Sequence, residues 1–132
     1  MPKVAYEVLH PEKRTSCVVF ASPHSGRDYP GSFVGTTLLD EKTIRSSEDA
    51  FVDQLFDTAP RYGAPLLTAG APRAFVDLNR SADELDPALI EGVRRQGHNP
   101  RVASGLGVIH RVVAIGKTIY RGKLPMTEEG RR

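Results

Sequence analysis

The feature that most constrains this chain is an abrupt change of character at residue 22. Cys17-Val18-Val19-Phe20-Ala21 is an unbroken run rich in apolar and β-branched residues, and Ser22-Pro23-His24-Ser25-Gly26 follows it directly. A short continuous apolar run suits a central strand buried on both faces, and the Pro and Gly mark a loop at its carboxyl end. In open α/β sheets ligands bind beyond that end of a strand, where loops present side chains and backbone amides. The expectation is an α/β fold that holds His24 rigidly at the rim of its sheet. Cys17 is the single cysteine, so no internal disulfide can form; within its apolar run it reads as a buried small hydrophobe in a reducing compartment.

Further along, Ser46-Ser47-Glu48-Asp49 predicts a helix start. A serine with a carboxylate three residues later has the form of a capping box, with Asp in place of Glu or Gln. Phe51, Val52, Leu55 and Phe56 then make an apolar stripe at helical spacing, and Pro60 and Gly63 end the segment. Pro65–Ala69 and Ala74–Leu78 read as short strands. Residues 81–100, polar and interrupted by Pro87, Gly92, Gly97 and Pro100, predict a long irregular excursion of the kind that is more often functional or mobile than regular. Residues 107–113 suggest another strand, and residues 114–120 its hairpin return. The chain ends with a second helix-start pattern, Thr127 followed by Glu128 and Glu129, and stops at Arg132. A helix of so few residues is marginal alone, so the expectation is a single domain, residues 1–132, whose C-terminal part is missing.

The composition, 39% apolar and 26% charged over 132 residues, suits one globular domain. Eighteen basic and sixteen acidic residues are scattered, without the concentrated face that nucleic acid requires. No apolar run approaches the roughly 20 residues that span a bilayer, and the N-terminus lacks an apolar signal segment. The expected setting is the cytoplasm, with no nucleic-acid or membrane partner.

Three features carry candidate chemistry. At its loop position His24 suits a metal ligand, a general base or a structural residue bonded to loop carbonyls. Glu48 and Asp49 suit helix capping, or one of them can turn inward to share a metal with His24, since zinc in hydrolases takes His and carboxylate ligands and keeps a position for water. Asp77-Leu78-Asn79-Arg80 places an amide and a guanidinium together. The guanidinium suits a two-pronged clamp on a carboxylate, or an ordinary salt bridge with Asp83 or Asp86. His110, between Ile109 and Arg111, reads as structural or surface, with no reason to lie near His24. His10 and His98 have no suggestive neighbours, and Ser25 lacks a base at serine-hydrolase spacing.

Taken in order, Ser22-Pro23-His24-Ser25-Gly26 with Tyr29-Pro30, residues 47–56, Arg73-Ala74-Phe75-Val76-Asp77-Leu78-Asn79-Arg80, residues 105–109 and Ile119-Tyr120-Arg121-Gly122-Lys123-Leu124 resemble the N-formylglutamate amidohydrolase family. The resemblance runs from about Val18 to the end. It implies a mixed β-sheet with flanking helices, similar to zinc carboxypeptidases and aspartoacylases. It also implies a catalytic Zn2+ held by His24 and by Asp49 in preference to Glu48, and a substrate-carboxylate clamp from Asn79 and Arg80. The implied activity is hydrolysis of N-formyl-L-glutamate, a small acidic N-acyl amino acid, at the end of a histidine-degradation route. Family members usually carry Pro where this chain has His110, which keeps that histidine out of the implied site. They also continue into Pro-Tyr-His and Asp-x-His-Ser-Met segments that supply another metal-binding histidine. The expectations are therefore a chain inactive by itself, with self-association through exposed apolar surface, or alternatively a non-catalytic binding module for acidic small molecules.

Overall fold

Leu66–Ala69 forms the middle strand of a three-stranded sheet, and its neighbours run in opposite senses. The computed structural model describes residues 2–95 and 97–129; Met1, Gln96 and residues 130–132, with the end of the expected C-terminal helix, lie outside them. Strand β1 (Tyr6–Leu9) pairs antiparallel with the middle strand, Tyr6 opposite Ala69. Strand β2 (Phe20–Ser22) pairs parallel with it, Phe20 opposite Leu66; the middle strand is β3 in chain order. The mixed sheet and surrounding helices make an α/β fold.

A parallel pair needs a long crossover, and residues 23–65 supply it. They hold α1 (Gly31–Thr36), α2 (Glu41–Ile44), a 3-10 turn (Arg45–Ser47), α3 (Val52–Leu55) and a second 3-10 turn (Ala59–Tyr62). Such short helices are not stable alone; packing holds them. Phe33 of α1 meets the Phe75 ring edge-on, with centroids 5.3 Å apart, inside a core that includes Leu89, Ile90, Ile109 and Ile119. Two short helices complete the order, α4 (Pro100–Ala103) and α5 (Met126–Glu129). Among the described residues no helix is long and apolar enough to cross a membrane.

Several local expectations are overturned. The strand expected over residues 17–21 begins only at Phe20, and it is an edge strand, not a central one. Val18 and Val19 are 48% and 57% exposed, and Cys17 is exposed as well. An apolar run reports a preference for burial, but among the described residues the pairing order leaves β2 with no partner on its outer side. The helix expected from Ser46 does not start there. Asp40 caps α2 instead, accepting from the Thr43 amide at 2.7 Å. The Ser47 hydroxyl accepts from the Ala114 amide at 3.0 Å, a long-range bond that takes it away from capping. Glu48 is extended and Phe51 is left-handed (φ 63°), so only one turn, α3, remains, with Leu55 76% exposed.

Residues 74–78 are not a strand either. The Phe75 and Val76 amides both donate to the Pro72 carbonyl, which closes a turn. The expected hairpin contracts to one antiparallel bridge, Val112 with Thr118, around a turn in which Gly116 is left-handed (φ 74°). Residues 81–95 and 97–99 are irregular, as anticipated, and the C-terminal helix begins at Met126, one residue before Thr127. β1 was not foreseen; its polar flanks and half-exposed pattern hide it.

Gly26 ties this fold to the loop that carries His24. A side chain on Gly26 would run into the carbonyl of Ala71, just beyond the end of β3. Only glycine lets the two backbones lie this close, and the Asp28 amide bonds to Gly70 at 3.1 Å along the same seam. Gly26→Ala should therefore lower stability by about 1–3 kcal/mol, the usual range for over-packing. A urea midpoint unchanged from wild type would contradict that close approach.

Candidate functional site

The site is organised by a carboxylate hidden from solvent. Asp77 is fully buried, a rare state for an acid unless it is paired. Its Oδ1 accepts from His24 Nε2 at 2.8 Å and from the Asn79 amide at 2.9 Å. Its Oδ2 accepts from His110 Nε2 at 3.1 Å and from Arg73 Nε at 3.2 Å. Burial by itself would raise the Asp77 pKa. The hydrogen bonds from His110, His24 and the Asn79 amide outweigh it and hold the carboxyl well below its usual range.

An ionised Asp77 can only accept, so His24 Nε2 carries a proton, and Nδ1 is left on the other side of the ring. That nitrogen faces Asp49, with Oδ2 3.4 Å away. The juxtaposition is built into the backbone as well, since the Asp49 amide donates to the His24 carbonyl at 2.9 Å. His24 is nearly buried and Asp49 about half exposed, so the pair lies at the protein surface, open on one side. A neutral imidazole nitrogen facing a carboxylate oxygen is unfavourable unless a positive charge, either a proton or a cation, lies between them.

Neighbouring acids are engaged elsewhere. Asp53 takes a two-pronged contact from Arg27, at 2.9 and 3.3 Å. Glu48 turns to Arg45, 3.7 Å away, and burial raises its pKa against the opposing pull of Arg45 and Arg27. Asp49, not Glu48, is thus the acid beside His24. Ser25 is buried and bonded to Ser22, with the hydroxyl oxygens 2.7 Å apart, and so is sequestered within the loop. Among the described residues no group of three or more His, Cys, Asp and Glu is arranged to hold a metal ion.

Asn79 and Arg80 follow Asp77 directly. The Asn79 backbone belongs to the Asp77 network, while the residue itself is exposed. Arg80 Nη1 donates to the Asn79 carbonyl at 3.1 Å, and its buried Nε has no partner among the described residues. The salt bridge to Asp83 or Asp86 does not form; Asp86 binds Arg111 at 2.8 Å.

Residues 16–132 match the family described as N-formylglutamate amidohydrolase. The chain belongs to that family. It is also similar to the crystal structure of N-formylglutamate amidohydrolase from Ralstonia eutropha JMP134, with 35% identity and a TM-score of 0.85 over 97% of this chain. The match spans 46% of the length of that relative. No curated protein matches the chain.

In this member of the N-formylglutamate amidohydrolase family, two residues of the network escaped sequence reasoning. Asp77 was noticed only as the start of a motif, although an acid inside Phe75-Val76-Asp77-Leu78, with Arg73 four residues earlier, signals a buried paired charge. His110 was expected away from His24; it is buried and shares Asp77 with it. No local pattern could show that, because 33 residues separate His110 from Asp77.

Removing one partner of a buried charge network leaves the others unpaired, so Asp77→Ala should lose about 3–5 kcal/mol of stability. The Asp77 pKa in the folded chain lies below its unfolded value of about 4, so the unfolded state binds the proton first as pH falls. Its stabilisation is therefore complete above about pH 4 and declines below that. Asp77→Asn should flatten this acid limb in urea midpoints taken from about pH 5 downward. An acid limb identical to wild type would contradict the charged network.

Proposed function

We propose that this chain carries a metal-binding edge and a substrate-carboxylate clamp for hydrolysis of the formyl C–N bond of N-formyl-L-glutamate, giving formate and L-glutamate. The observation that carries this reading is the His24–Asp49 pair, with the far nitrogen of the imidazole anchored on buried Asp77. Metal-binding histidines commonly donate their other ring N–H to a carboxylate, which fixes tautomer and orientation. Two ligand atoms that share one zinc at about 2.0–2.2 Å lie roughly 3–3.5 Å apart. The 3.4 Å between His24 Nδ1 and Asp49 Oδ2 fits that requirement. His24 and Asp49 would therefore hold Zn2+. When bound, the ion lowers the pKa of a water to about 7 and polarises the formyl carbonyl.

The chain's own residues supply orientation and charge. Asp77 keeps the His24 ring from turning, and the Asp49 backbone bond to the His24 carbonyl keeps the carboxylate opposite the ring. N-formylglutamate carries two carboxylates that need cationic partners. Arg80, with no carboxylate within ion-pair distance among the described residues and its Nε unpartnered, is suited to one of them, with the exposed Asn79 beside it. On this reading the enzyme serves the last step of a histidine-degradation route in the cytoplasm.

One observation favours a second reading, a non-catalytic binder of acidic small molecules. Hydrolytic zinc sites commonly use three protein ligands, and His24 and Asp49 are two. The 132-residue chain by itself should accordingly release little formate from N-formylglutamate, and the exposed Val18, Val19, Phe51 and Leu55 should promote self-association.

The test combines metal analysis with turnover. The purified chain, and the same chain with His24→Ala, are loaded with zinc and assayed for bound metal and formate. Wild type should bind zinc and the variant should lose it while remaining folded; retention of zinc by His24→Ala would remove His24 from the site. Formate release by the chain at a rate comparable to a complete family member would overturn the expected inactivity. For the clamp, Arg80→Lys keeps charge but loses the planar fork. It should weaken binding of N-formylglutamate by about tenfold, a loss of the order of one charge-assisted hydrogen bond, and leave a neutral formyl amino acid little affected. Equal losses for both ligands would make Arg80 structural.

A further inference from the structure

His110 has an unusual environment for a residue outside any expected site. It is 1% exposed, its Nε2 donates to Asp77 Oδ2 at 3.1 Å, and its other nitrogen, Nδ1, is buried with no hydrogen-bond partner among the described residues. An apolar side chain of similar size would avoid that unsatisfied nitrogen. A purely space-filling role therefore does not account for histidine here; its donated N–H does.

We propose that His110 is a positioning residue that acts through Asp77 to keep His24 Nδ1 turned toward Asp49. This rests on the reading of His24 as a metal ligand given above. The two oxygens of Asp77 divide the work: Oδ1 serves His24 and the Asn79 amide, and Oδ2 serves His110 and Arg73. Whatever holds Oδ2 sets the plane of the carboxylate, and with it the direction from which Oδ1 meets the His24 ring. Arg73 is a long and partly solvated side chain. His110 is the rigid anchor, with the core residue Ile109 on one side and Arg111 on the other; the Arg111 amide bonds to Gly105 and its carbonyl accepts from Ile119.

Two effects of His110 oppose each other. Its hydrogen bond draws charge from Asp77 and so weakens the carboxylate's support of His24. It also prevents the carboxylate from rotating. The second effect dominates, because a ring that turns withdraws Nδ1 from Asp49 altogether, whereas shared charge only modulates a nitrogen already in place. Substitution of groups that orient a metal-binding histidine typically changes metal affinity by about 10–100-fold; from one bond further out the expected loss is about tenfold, at the lower end of that range.

The experiment compares wild type, His110→Leu and His110→Gln in the whole chain. Leu removes the donor and the orphaned nitrogen together, while Gln restores an N–H near the position of Nε2. Three readouts are taken: zinc affinity by competition with a chromophoric chelator, the urea midpoint, and the solvent-exchange rate of the His24 Nε2–H proton by NMR. His110→Leu should lower the urea midpoint, because buried Asp77 loses a donor, lose about tenfold in zinc affinity and exchange the His24 proton faster; His110→Gln should restore both affinity and slow exchange. Wild-type affinity and exchange in the Leu variant would overturn the proposal. So would a folded Gln variant that restores neither, which also decides the matter if the Leu variant does not fold. If wild type binds no zinc, the metal reading fails separately, and the exchange rates alone then decide: faster in Leu and restored in Gln supports positioning, and no change refutes it.

Discussion

The buried negative charge of Asp77 sets what the surrounding structure must do. A carboxylate removed from water needs compensating donors, and Asp77 gathers them from three stretches of chain: His24 after β2, Arg73 and Asn79 on either side of it, and His110 near the hairpin turn. Each donor fixes a segment that has little regular structure of its own. With helices of at most six residues and a sheet of three short strands among the described residues, hydrogen bonds and close backbone contacts hold the segments in register. The Gly26 contact with Ala71 is the steric counterpart of this electrostatic hub, since it brings the His24 loop to the end of β3.

The same arrangement separates orientation from chemistry. Asp77 is hidden and occupied by donors, so it is suited to holding. Asp49 is half exposed and faces His24 Nδ1, so it is suited to binding. Arg80 stands at the end of the same short motif, with its Nε unpartnered among the described residues, close in sequence to the carboxylate that holds His24. The chain spans 46% of the matched relative, and within it Asp77 brings the His24 loop and the segment around His110 together.

The family and the α/β class were legible in the sequence, and the local elements less so. His24, Asp49 and Arg80 could be singled out because each lies in a short motif of chemically active residue types. β3 was visible for a similar reason: Leu66–Ala69 is apolar and bounded by Pro65 and Gly70. The failures share one cause. The Ser46 helix start, the strand over residues 74–78 and the burial of Cys17 were all local inferences, and distant partners overrode them: Ala114 took the Ser47 hydroxyl, Pro72 closed a turn, and the strand order put β2 at an edge. His110 shows the limit most clearly, because only the folded chain brings it to Asp77.

The most direct test of this account is the protonation of the His24 ring in the metal-free chain, read from long-range proton–nitrogen NMR correlations near neutral pH. A proton on Nε2, held by Asp77, is the expected result, with that preference lost in Asp77→Ala. A proton on Nδ1 with a bare Nε2, or the same tautomer with and without Asp77, would contradict it.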